Sequence, residues 1–150
     1  MWVILFTLCA SSLSAYCDEI LAPKDLAFMQ GEWEPIFVEG IITEHRPRFF
    51  SSRLVVKGDV FIFIEVLPDG SRKELPTPVR LYPTMSPKGI DFIDPMPKGP
   101  GLPRGPVVIG RGIYEVTRHI FVIKQGMERP VDFSAPFDLR SPIVVLRRVK

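Results

Sequence analysis

The sequence has little of what several kinds of chemistry require. Its 150 residues include two cysteines and two histidines, which excludes a zinc site built from several cysteines. Lysine and arginine exceed aspartate and glutamate by only two. This near balance argues against a nucleic-acid partner, because phosphate backbones demand a concentrated basic patch. A nucleophile elbow, a phosphate loop and a dinucleotide fingerprint are also missing. We therefore predict no catalytic residue, no metal and no cofactor.

The first 15 residues, MWVILFTLCASSLSA, form an apolar run without a charged side chain. This run is shorter than the roughly 20 apolar residues that a membrane span needs. It is typical of the apolar core of a secretory signal, followed by small residues and cleavage near Ala15. An N-terminal strand or a misassigned start is the alternative, since no lysine or arginine precedes the run. We predict a signal peptide over residues 1–15 and an extracytoplasmic domain, without a transmembrane span, over residues 16–150.

The two cysteines have different expected fates. Cys9 would leave with the signal and Cys17 would remain alone, so an intramolecular disulfide is not expected in an oxidising compartment. Cys17 is either an incidental thiol near the mature N-terminus or a lipid-anchor residue. Tyr16 argues against the anchor, because lipidation signals favour a small side chain at that position.

Proline is abundant, with 16 residues, and an interior proline costs a helix ~3 kcal/mol. The pattern accordingly predicts one short helix, from Pro23 to the stop at Gly31. Further along the chain, β-branched and aromatic runs alternate with turn residues, which indicates strands. The predicted strands are residues 33–39, 53–57, 60–66, 79–82, 89–93, 107–116, 119–124 and 143–149, with a fragment near 130–134. About eight strands with short connections predict an antiparallel barrel or sandwich.

Residues 94–106, DPMPKGPGLPRGP, interrupt the strand pattern. Proline removes the hydrogen-bond donors of a ladder and glycine raises backbone entropy, so this segment is predicted to be a loop. Loops of this length are often functional or disordered. The segment is therefore either a lid over a site or a flexible insertion.

Six short motifs in a fixed order resemble a known family. They read QGEW (30–33), RLVVKGD (53–59), PKGID (87–91), GRGIYE (110–115), ERPVDFS (128–134) and VLRR (145–148). The series resembles an uncharacterised planctomycetal conserved domain family that is described as lipocalin-like. The resemblance extends from Leu26 to Arg148 and implies a small antiparallel barrel that is often exported. It implies no reaction.

The resemblance also assigns structural roles to Gly31, Trp33 and Arg148. In lipocalin-like barrels a tryptophan at the start of the first strand plugs the closed end, and an arginine of the last strand lies across its ring. Such stacking supplies cation–π attraction, and the guanidinium can donate to carbonyls of the entry turn. Arg147 and Arg148 must face opposite sides of the strand, and we assign the role to Arg148. Two solvated arginines at the end of the chain are the alternative.

Six aromatic residues are spread over five predicted strands and are the candidate ligand-binding residues. They are Phe61, Phe63, Tyr82, Phe92, Tyr114 and Phe121. If they converge, they build either a filled core or the wall of an apolar cavity, because an eight-stranded barrel is only just wide enough for one small ligand.

Titratable residues offer a weaker case for catalysis. Glu39, Glu65, Asp91 and Glu115 lie in predicted strands, and an inward carboxylate in an apolar barrel could act as an acid or base. Solvated carboxylates on the outer face are the alternative. His45 and His119 lack the spacing of a metal pair.

Three hypotheses for function follow from these patterns. The first is an exported, non-catalytic module that binds a small apolar or amphiphilic ligand. The second is an interaction or structural domain with a filled core, whose loops contact another protein of the cell envelope. The third is an enzyme that uses inward carboxylates, together with His119. We favour binding over catalysis.

Overall fold

The computed structural model describes residues 22–39, 53–101, 104–134 and 142–150. Within them the chain forms helix α1 (residues 22–29) and eight strands. The strands are β1 (Gly31–Glu39), β2 (Arg53–Lys57), β3 (Val60–Val66), β4 (Arg72–Tyr82), β5 (Gly89–Asp94), β6 (Val107–Val116), β7 (Ile120–Gly126) and β8 (Ile143–Arg148). The predicted signal peptide, both cysteines, His45 and the side chain of Glu39 lie outside the described residues.

The eight strands close into one antiparallel barrel. Each strand pairs with the next one along the chain, and β8 returns to pair with β1, so that Trp33 lies opposite Arg148. Such closure removes most of the exposed edge that an open sheet presents. The prediction of a small all-β barrel of about eight strands with a short N-terminal helix is confirmed.

The alternation of strand directions gives the barrel two ends. Helix α1, the Gly58-Asp59 turn and residues 117–119 lie at one end, which we call the closed end. The β3–β4 turn, the described residues of the Pro/Gly segment, the end of β7 and the start of β8 lie at the other, which we call the open end. Part of the β7–β8 connection is described, as residues 127–134.

The barrel interior is a core of interlocked aromatic and aliphatic side chains. Alternate residues of each strand point inward, and the buried set includes Trp33, Phe61, Phe92 and Phe121. The Phe61 ring meets three other rings edge-on, with the Phe121 centroid 5.8 Å away. Edge-to-face packing adds to the stabilisation that burial gives.

Two predicted strands differ from the structure. β4 begins at Arg72, seven residues before the predicted start at Val79. Pro76 and Pro78 have no N–H to donate, but their nitrogens face one edge only, while the other edge pairs with β3 throughout. The fragment near 130–134 is not a strand, because Pro130 lacks a donor and the Asp132 carboxylate accepts the Ser134 N–H in a local turn.

The β3–β4 turn contains an acidic group with a shifted pKa. The Ser71 hydroxyl and N–H both donate to Asp69 Oδ1, over 2.6 and 2.9 Å. These hydrogen bonds favour the charged form and lower the pKa of Asp69 below its ordinary value. The group is fully exposed and serves the turn.

None of the helices within the described part of the chain combines the length and apolar character that crossing a bilayer requires.

Candidate functional site

The barrel wall has a gap between β4 and β5, because these strands pair along only part of their lengths. Residues 79–82 of β4 pair with residues 89–92 of β5. Residues 72–78 pair with β3 alone. Toward the open end, the two strands therefore separate.

Two prolines keep this edge of β4 from being closed by hydrogen bonds. Backbone N–H groups along a strand point alternately to the two neighbours. The Val79 N–H donates to the Asp59 carbonyl on the β3 side, over 2.8 Å. By alternation, the nitrogens of Pro76 and Pro78 face the β5 side, and proline has no hydrogen to donate. The gap is therefore built into the sequence of β4.

The gap widens into a cleft of about 270 Å³, which we call the seam cleft. Its lining is mostly apolar and consists of Phe63, Leu75, Pro76, Thr77, Ile93, Asp94, Pro95 and Ile109. Among these described residues, Asp94 is the single titratable side chain. The seam cleft can therefore hold an apolar group beside one carboxylate and one hydroxyl.

The barrel interior offers far less room than the seam cleft. The space beneath the open end, between Leu54, Phe63, Phe92 and Ile123, measures about 20 Å³. One water needs roughly 10–15 Å³ on this kind of measure. The space between these four side chains thus has room for about one water.

The six candidate aromatics do not form one wall. Phe61, Phe92 and Phe121 are fully buried in the core. Phe63 lines both the seam cleft and the small interior space. Tyr82 lies on the outer face, where its hydroxyl donates to Asp91 Oδ2 over 3.0 Å. Phe63 is therefore the one member of the six that borders the larger cavity.

Tyr114 belongs to a polar cluster at the closed end. Its hydroxyl donates to Asp25 Oδ2 over 2.5 Å, and the Lys88 ammonium donates to the same carboxylate over 2.9 Å. Asp25 is buried and lies in helix α1. The cluster therefore fastens the helix to β6 and to the β4–β5 connection.

The structure brings Gly31, Trp33 and Arg148 together at the closed end. The buried Trp33 indole donates to the Met29 carbonyl over 2.7 Å, and the Arg148 guanidinium lies 4.3 Å from its ring centroid. Gly31 has φ +112°, and a Cβ there would lie 2.9 Å from the guanidinium. Glycine is therefore required for conformation and for space.

Arg148 also satisfies backbone acceptors from two segments. It donates to the carbonyls of Phe28 and Gln30 at the end of helix α1. Its Nε donates to the Arg118 carbonyl over 2.7 Å. These carbonyls belong to the chain entering β1 and to the β6–β7 turn, so one side chain ties the two together.

Residues 127–134, which we call the outer strap, pass over the outer face of β5–β7. Arg129 forms an ion pair with the buried Asp91 and lies 4.7 Å over the Tyr82 ring. Lys124, only 2% exposed, donates to the Asp132 carbonyl over 3.0 Å. The strap therefore covers charged groups that a barrel usually turns toward water.

The remaining candidate acids and bases do not converge. Asp91 faces outward under the strap, Glu115 and His119 are exposed, and Glu65 is half-buried near the open end. Across the ranges that the structure describes, no three His, Cys, Asp or Glu side chains are grouped as a metal ion requires. This placement gives no acid–base pair at the seam cleft.

Most of the seam lining was missed by the sequence analysis, which singled out Phe63 alone. Leu75 and Thr77 lie in a segment whose prolines and charges obscure the strand pattern. The useful signal was Pro76-Thr77-Pro78, because prolines at alternate positions of a strand leave donors missing along one edge only.

A scan of protein-family models and searches of curated proteins and of solved structures find no match to this chain. Its function is therefore inferred from the seam cleft and the chemistry of the lining.

Proposed function

We propose that the protein is an exported, non-catalytic module that binds a small apolar or amphiphilic molecule in the seam cleft. The observation that carries this proposal is the cleft of about 270 Å³, which is much larger than the space of about 20 Å³ beneath the open end. The apolar run at residues 1–15 supports export. The six motifs support a place for the chain among the lipocalin-like planctomycetal domains.

The lining supplies a driving force for an apolar guest. Phe63, Leu75, Ile93 and Ile109 present hydrocarbon surface to the cleft. Each buried methylene contributes about 0.8 kcal/mol, so six give about 5 kcal/mol before the cost of association. Since about 5 kcal/mol corresponds to a dissociation constant of about 0.2 mM, submillimolar to millimolar dissociation constants are expected.

Filling the cleft tests the proposal. Ile109 lines the cleft and is 43% exposed, whereas its neighbour Val108 is 41% exposed and does not line it. Ile109→Trp should weaken binding of the apolar dye N-phenyl-1-naphthylamine at least about tenfold, by occupying the dye's volume. Val108→Trp is the matched control and should leave the affinity unchanged. Fluorescence titration measures both.

Thermal unfolding of the two variants shows whether either tryptophan perturbs the barrel. Two results would contradict the proposal: no dye binding by the wild type, or equal affinities in the two variants.

The small space beneath the open end, about 20 Å³, favours a second function, that of an interaction domain in the cell envelope. Met96, Val108 and Ile109 expose apolar surface near the open end, and such surface is a feature of protein contacts. A partner from an extracytoplasmic extract should then bind the wild type but not Val108→Lys. Capture that is unchanged in this variant would count against an interaction at this surface.

A further inference from the structure

We propose that the seam cleft selects amphiphiles whose polar head is a primary ammonium group. This inference rests on the proposed function and adds the chemical class of the ligand. The inference is supported by three hydrogen-bond acceptors on the two sides of the cleft. It is also supported by the prolines of β4, which have no backbone N–H to donate.

The first acceptor is the hydroxyl of Thr77. This side chain points inward from β4, lines the cleft and is only 7% exposed. Its hydroxyl makes no hydrogen bond to any group in the described parts of the chain, and its oxygen is accessible from the cleft. A ligand group in the cleft can therefore donate a hydrogen bond to it.

The second acceptor is the carboxylate of Asp94, at the end of β5. Its Oδ1 accepts the Met96 N–H over 3.0 Å, which fixes the side chain at the cleft. No lysine or arginine among the described residues forms an ion pair with it. A carboxylate beside apolar surface attracts a cation and repels an anion.

The third acceptor comes from the edge of β4. The N–H and C=O of a strand residue face the same neighbour, so the Pro76 carbonyl faces the seam together with its nitrogen. Ordinary strand edges alternate donors with acceptors, whereas this edge keeps the carbonyl and loses the donor. The edge therefore matches a head group rich in donors.

An ammonium group fits these three acceptors. It carries three N–H donors, no acceptor and a positive charge. A hydroxyl head has one donor, and a carboxylate head has none and meets the like charge of Asp94. At roughly 10–15 Å³ for each water-sized group, the cleft of about 270 Å³ has room for an alkyl chain of about eight carbons with its head group.

Three ligands with the same alkyl chain test the selection. n-Octylamine, 1-octanol and octanoate differ in their head groups, and isothermal titration calorimetry with the full chain gives their affinities. Octylamine should bind about tenfold more tightly than octanol, since hydrogen bonds to charged groups are the stronger ones. Octanoate should bind most weakly.

Variants identify the responsible groups. Asp94→Asn keeps an oxygen for the Met96 N–H but removes the charge, so the preference for octylamine over octanol should disappear. Asp59→Asn makes the same change in net charge at an exposed turn on the closed end and should retain the preference. Valine is close to threonine in shape but has no hydroxyl, so Thr77→Val should weaken the binding of octylamine about threefold.

The outcomes separate the two proposals. If octanol binds as tightly as octylamine, or if Asp94→Asn retains the preference, ammonium selection is wrong while binding in the cleft stands. If octanoate binds most tightly, ammonium selection is likewise wrong. If the wild type binds none of the three ligands, the proposed function fails together with the selection.

Discussion

Arg147 and Arg148 are adjacent in β8 but have different surroundings. Arg147 is exposed and forms an ion pair with Glu34 on the outer face. Arg148 stacks on the buried Trp33 ring and donates to three backbone carbonyls. Exposed ion pairs contribute about 0–1 kcal/mol, whereas a planar guanidinium that stacks and donates has no equivalent in lysine. The stabilisation at the end of β8 therefore resides mainly in Arg148.

Arg148→Lys should lower the free energy of unfolding by about 2 kcal/mol, because the flexible ammonium cannot stack and donate to the three carbonyls together. Arg147→Lys, the matched control, should change it by at most about 0.5 kcal/mol. Urea unfolding followed by Trp33 fluorescence measures both values. Equal losses in the two variants would show that Arg148 has no special role at the closed end.

The outer strap shows how a segment without regular structure becomes part of the fold. Its Arg129 neutralises Asp91, which is 5% exposed on β5. Gly89 lies next to Asp91 along the outer face and leaves space for the Arg129 side chain, because a Cβ at position 89 would lie 2.9 Å from the guanidinium. Removal of one partner from a buried ion pair is costly, since the other charge stays desolvated.

Arg129→Met should therefore destabilise the protein by about 3 kcal/mol. The added change Asp91→Asn should restore part of that loss, because the buried carboxylate is then gone while the Tyr82 hydroxyl keeps an acceptor. A double-mutant cycle by chemical denaturation gives the coupling energy. Strictly additive losses would mean that the strap is held by other contacts.

Elements with simple hydrophobic patterns could be predicted from the sequence, and those shaped by tertiary contacts could not. β3 and β8 are runs rich in β-branched and other apolar residues, and they lie where expected apart from one residue at the end of β8. β4 was shortened in the prediction because propensity does not say which edge of a strand its prolines face. The seam cleft follows from that missed edge, so it was not predicted. The strap depends on the Arg129–Asp91 contact between distant parts of the chain.

At the scale of the whole molecule, the closed end joins the helix to the barrel. Met29 is fully buried at the end of α1, and its carbonyl accepts the Trp33 indole N–H. The Asp25 carboxylate joins the same helix to Lys88 and Tyr114. The helix thus covers the core at this end, and the net stability of a domain is only about 5–15 kcal/mol.

Met29→Ala should accordingly lower the free energy of unfolding by about 2–5 kcal/mol, through lost burial and the cavity left behind. Phe28→Ala is the control, because the neighbouring Phe28 side chain is about half exposed, and it should cost less than about 1 kcal/mol. Differential scanning calorimetry compares the two. Similar small losses of unfolding free energy in the two variants would show that the helix contributes little to the core at this end.

The proline edge of β4 also has an evolutionary consequence. Leu75, Ile93 and Ile109 border the cleft without being fully buried. Beside them, residues 72–78 of β4 do not pair with β5. Substitution at these positions changes the size of the opening. The core around Phe61 and the contacts of Trp33 with Met29 and Arg148 stay unchanged. Natural selection, or a protein engineer, can therefore change the preferred guest by single mutations with little loss of folding.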